Sequence, residues 1–136
     1  MGKLHSLHWD LCHEKKVIKL LAKGEITSHS FIIMWLKMLE LKEFSCALYH
    51  VLMDFGEAEL SMSYDEVNGL KSFFSSHSAL QQYRRLAFVT QHPRSSALLM
   101  LMQKNVFQDT GSQVQIFFGN EEAHIWVAGS DGLAPS

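Results

Sequence analysis

The sequence is poor in the features that announce chemistry. It holds only two cysteines, Cys12 and Cys46, one at the end of one predicted strand and one at the start of another, with no C-x-x-C spacing. Both are expected to be buried, reduced thiols, because a free cysteine packs as a small hydrophobe. No basic run exceeds a pair such as Lys15-Lys16 or Arg84-Arg85, and 12 Lys+Arg against 14 Asp+Glu leave a formal charge of −2. Nucleic acid is therefore not the expected partner. The N-terminus alternates polar and apolar residues where a signal peptide needs a continuous apolar stretch, so the expected location is the cytoplasm, without membrane insertion. Met1 to Ser6 fits the short myristoylation pattern, which is loose enough to arise by chance.

Catalytic signatures are missing as well. There is no glycine-flanked serine elbow and no glycine-rich phosphate loop. Asp54, Glu57, Glu59, Asp65 and Glu66 gather charge without the glycine and regular ligand pattern of a calcium loop, and read as a solvated acidic loop. Eight histidines include His5, His8 and His13 near the N-terminus, but on a strand His8 faces away from the other two, which is wrong for a shared metal. Neither cofactor nor metal is expected, and enzyme activity is not expected; an enzyme that binds an anionic substrate at the Arg94 and Ser95 helix start, with His92 close by, is the least favoured alternative.

What the chain does have is core. Hydrophobic residues make up 47% and charged residues 19% of 136 residues, enough for one packed domain over 1–128 followed by a small polar tail at 129–136. Leu7, Trp9 and Leu11 alternate with polar neighbours from Leu4 to Cys12, the period of a half-buried strand. "HEKK" turns the chain into a second strand, Val17 to Ala22, which Gly24 is expected to end. Thr27 or Ser28 caps a helix through "SFIIMWLKMLELKEF", apolar nearly all round and so expected to be covered on two sides. "CALYHVLMDF", Cys46 to Phe55, suits a central strand. A helix from Tyr64 to Ser75, a strand from Arg85 to Thr90, a helix from Ser95 to Phe107, a strand from Ser112 to Gly119 and a short helix capped by Asn120 complete the chain. The order β-β-α-β-α-β-α-β-α predicts an α/β fold: a mixed, mostly parallel five-stranded sheet with covering helices.

Three places are candidates for function. Ser61 and Ser63 precede a helix, and Ser63 with Glu66 three residues later matches a capping box, a structural role that needs no regulation. In "QHPRSS", Arg94, Ser95 and Ser96 stand where a helix begins, and free N–H groups there favour an anion; the simpler reading is that Pro93 stops the strand and a serine caps the helix. The Met-rich helices, with Trp35, Met38, Leu98 and Met102, supply either core, a homodimer surface or a pocket for an apolar small molecule.

The stretch "VLMDFGEAELSMSYDEVNGL", preceded by "VIKLLAKGEIT" and followed by "RLAFVT" and "VQIFFGNEEAHIWV", resembles the STAS/SpoIIAA-like family, the fold of bacterial anti-sigma-factor antagonists. The likeness runs from about His8 to Val127 and rests on a glycine after the second strand, an aspartate ending the third, and a closing F-x-N-E-E-A-x-x-W. The resemblance implies a non-enzymatic regulatory domain with a protein partner. In signalling members a serine in a "DSSG" motif at the start of the helix after the third strand is phosphorylated by a partner kinase; that position falls at about Ser63, within "SMSYDE". The fold is also similar to the lipid-binding domain of CRAL-TRIO transfer proteins, which is the basis for the apolar-ligand alternative.

Overall fold

The computed structural model describes residues 6–45 and 49–129. Leu4 and His5, Cys46 and the tail from residue 130 lie outside these. The strands β1 (Ser6–Cys12), β2 (Val17–Ile26), β3 (His50–Leu60), β4 (Arg84–Val89) and β5 (Ser112–Phe117) form one sheet in the order 1-2-3-4-5. The β1–β2 pair is antiparallel and the other three pairs are parallel. The helices are α1 (Ser28–Leu39), α2 (Lys42–Ser45), α3 (Tyr64–Ser75), α4 (Pro93–Asn105) and α5 (Asn120–Ala128). This is the expected α/β order, with the four-residue α2 and a 3₁₀ turn at Ser78–Leu80 added.

The strand order decides the layers. From β2 to β5 every crossover steps across the sheet in one direction, and right-handed crossovers that step one way deposit their helices on one face. On that face Trp35 of α1 sits among Phe31, Phe44, Phe74 and Phe107, with ring centroids 5.2–6.4 Å apart. α5 follows the last strand and returns over the opposite face, where Ala123 and Val127 pack on Leu52, Ala87 and Val89. The small side chains at Ala87 and Ala123 let this helix lie close to the sheet.

Several expectations change. The long first helix breaks at Glu40, whose N–H bonds back to Lys37 and Met38, and the chain restarts as α2. α1 is buried along one stripe, Phe31, Met34, Trp35 and Met38, while Leu36 is 42% exposed, so it is covered on one side in the single chain. Gly24 does not end β2: it takes φ +87° inside the strand, a conformation open to glycine, and the pairing continues to Ile26.

The acidic "loop" after Phe55 is the second half of β3. Between the pairs Leu21↔Asp54 and Lys23↔Glu57 the strand β3 has one residue more than β2, a β-bulge at Phe55 and Gly56. The extra residue reverses the alternation. Phe55 points into the core before it and Ala58 and Leu60 after it, which leaves Glu57 and Glu59 in solvent. Lys23 meets Glu57 at 3.5 Å across this exposed pair.

Candidate functional site

Ser63 forms the box that its spacing predicts. Its Oγ accepts the Glu66 N–H at 3.1 Å, and Glu66 Oε1 accepts the Ser63 N–H at 2.8 Å. Ser61 is exposed, and its N–H closes the strand end by donating to the Ile26 carbonyl at 2.8 Å. The two serines therefore stand on the surface at the start of α3, beside the exposed ring of Tyr64.

The start of α4 is arranged differently from a simple cap. Pro93 is the first helical residue and His92 stands at the N-cap without a side-chain cap bond. Arg94 is exposed and Ser96 half-buried. Ser95 is fully buried, and its Oγ accepts the Leu60 N–H at 3.1 Å, so it ties the end of β3 to α4. The three residues thus do not present one surface.

Of the apolar four, Trp35, Met38 and Met102 are in the core and Leu98 is partly buried against it. The helices show other residues outward. Met100 of α4 is 57% exposed, and Phe118, just past β5, is 67% exposed. Between them a cleft of about 290 Å³ runs along the outer edge of β5, lined also by Ser96, Gln103 and Ile116.

A larger groove, about 820 Å³, lies on the other face. It exists because the nine-residue α5 lies over β3, β4 and β5 and reaches β2 only at Val17 and Lys19. Asp10, Cys12 and Lys19 form one wall, and His124, Ile125 and Ala128 of α5 form the other. Lys19 Nζ donates to His124 Nε2 at 3.3 Å. Burial first and the Lys19 ammonium second hold the His124 pKa below its ordinary value, against a smaller opposing pull from Asp54. Cys12 is exposed here, not buried. Trp9 and Leu11 pack inward, so strict alternation carries Cys12 to the uncovered face.

Asp54 is buried in β3, immediately before the bulge. Its Oδ1 accepts the Gly56 N–H at 2.8 Å and its Oδ2 accepts Asn120 Nδ2 at 2.7 Å. A Cβ on residue 56 would stand 3.1 Å from Oδ1, closer than an ordinary contact. Asn120 is thereby the first residue of α5 and not its cap, which is Gly119. Two motifs of the family resemblance, the aspartate and the F-x-N-E-E-A segment, meet through this one hydrogen bond.

Two further histidines make contacts within the fold. His50 Nδ1 accepts the Arg85 N–H at 2.8 Å, and burial, then Arg85 and Arg84, lower its pKa. His13 Nδ1 is 2.6 Å from the Tyr49 hydroxyl. Among the described residues no group of three His, Cys, Asp or Glu is placed to hold a metal ion. No helix among them is long and apolar enough to cross a membrane.

Neither a protein-family model nor a curated protein matches the chain. Among solved structures it is similar to an uncharacterized protein of the DUF3478 family from Shewanella loihica PV-4, described as having a SpoIIAA-like fold. The two share 14% identity over 93% of this chain and 98% of the other, with a TM-score of 0.57. The single sheet with one antiparallel edge, α1 to α4 on one face and the returning α5 on the other is thus a SpoIIAA-like fold.

Proposed function

We propose that this is a non-enzymatic binding domain of the cytoplasm that acts through protein contacts and associates with itself. The observation that carries the reading is the apolar rim of the α4–β5 edge. Met100 and Phe118 are more than half exposed on either side of a cleft, next to a strand that among the described residues pairs with β4 alone. Isolated exposed apolar residues are ordinary, but two flanking an open strand edge favour a partner. The SpoIIAA-like fold supports a domain of this general type. Native mass spectrometry of the full chain tests the reading: a dimer is expected, and a monomer at tens of micromolar would overturn self-association.

A second reading attaches to the groove beside α5. Its volume lies within the roughly 300–1,000 Å³ usual for ligand sites. Lys19 on one wall, facing His124 beside the apolar Ile125 and Ala128 on the other, suits a small molecule with an apolar body and a polar head. The same spectrum addresses it. An extra mass of a few hundred daltons that leaves on denaturation supports the ligand, and a bare protein mass counts against it.

A further inference from the structure

The free side of β5 has a definite pattern of donors and acceptors. Phe117 accepts the Thr90 N–H with its carbonyl, so residue 117 turns its backbone toward β4. In a parallel pair the turned-in residues alternate, which assigns 113, 115 and 117 to β4 and leaves Ser112, Val114, Ile116 and Phe118 facing outward. Two of the outward carbonyls are met by side chains. Gln103 Nε2 donates to Val114 at 2.7 Å and Gln91 Nε2 to Phe118 at 3.0 Å.

Natural edges are usually guarded by charge, proline or a covering element. From Thr110 to Asn120 this segment has no charged residue and no proline. The other edge of the sheet differs, since β1 carries Asp10 and runs into the "HEKK" turn. An uncharged strand suits an uncharged partner, and a second β5 is one: no like charges meet when it lies against itself.

Resting on the self-association proposed above, we infer that two copies pair through β5, antiparallel about a dyad at Gln115. This register sets 112 against 118 and 114 against 116 on the partner strand. It is the one in which every outward residue from Ser112 to Phe118 faces another outward residue. Val114 and Ile116, which share the α4 face, then meet each other, so neither side's alternation is violated. Met100 and Phe118, exposed in one chain, lie along the junction. Gln103 and Gln91 hold the edge in the single chain and give way to the partner's backbone.

The register is testable at the exposed Gln115. Residues opposite each other across a non-hydrogen-bonded antiparallel pair have Cβ atoms roughly 4.5–5.5 Å apart, close to disulfide distance. In a chain with Cys12 and Cys46 replaced by serine, Gln115→Cys is expected to form a covalent dimer under mild oxidation. Gln113→Cys, on the same face of the same strand, sits roughly 13 Å from its own copy in this register and is expected to remain uncross-linked. A separate variant, Met100→Lys with Phe118→Lys, alters only exposed side chains and is expected to raise the dimer dissociation constant about tenfold or more. A monomeric wild-type chain overturns both the self-association and this interface. A stable dimer in which Gln115→Cys fails to cross-link, or cross-links no faster than Gln113→Cys, overturns the interface and leaves self-association standing.

Discussion

At the scale of single residues, what was legible is what is local. Ser63 and Glu66 are three apart, and three apart on a helix start means contact, so the capping box can be read directly from "SYDE". Replacing Ser63 with alanine is expected to cost about 1 kcal/mol, measured as a lower urea midpoint at unchanged slope. Ser95, Asp54 and Cys12 were not legible in this way. Ser95 serves a backbone N–H 35 residues away and Asp54 an amide 66 residues away, partners that only the folded sheet brings within reach. His50 gives the pH prediction. Burial and two arginines hold its folded pKa below the ordinary 6.5, so below that pH the unfolded chain takes up a proton that the native chain resists. Stability is therefore full above about pH 6.5 and falls as pH drops from there toward the lowered native value, with His124 adding in the same sense. Denaturant titrations at pH 7.5 and 5.5 should show the loss. His50→Asn, which keeps an acceptor for the Arg85 N–H without the titration, should flatten the slope.

At the scale of elements, the periodic and capped segments came through and the interrupted ones did not. α3 occupies Tyr64–Ser75 as its cap and spacing indicate. β2 and β3 are longer than their apolar runs, because Gly24 bends without breaking and a bulge carries β3 through its acidic half. Composition alone reads "GEAEL" as solvated; pairing with Gly24 to Ile26 makes it strand. Gly24→Ala forces a Cβ into a left-handed conformation, and a loss of roughly 1–2 kcal/mol is expected in the same denaturant assay. A neutral result would mean that the strand relaxes there. Trp35→Ala tests the aromatic core. With four phenylalanine rings around it, truncation should cost about 3–5 kcal/mol, visible as a large fall in melting temperature. A loss under about 1 kcal/mol would contradict the account of that helix as core.

At the scale of the whole molecule, alternation of strands and helices was enough to indicate a mostly parallel sheet with helices upon it. The strand order was not legible, and the functional surfaces depend on that order. Because β2 to β5 advance one way, the crossover helices share a face, the single returning helix leaves a groove beside β1 and β2, and β5 ends as an uncharged edge. Hydrophobicity alone pointed to Trp35, Met38 and Met102. The fold puts these inside and shows Met100 and Phe118 outside. Self-association through β5 is tested most directly by light scattering on the eluting 136-residue chain over a range of concentrations. A mass near twice 15.5 kDa is predicted, falling toward a single chain on dilution or with lysine at positions 100 and 118. A mass of one chain at every concentration would contradict it.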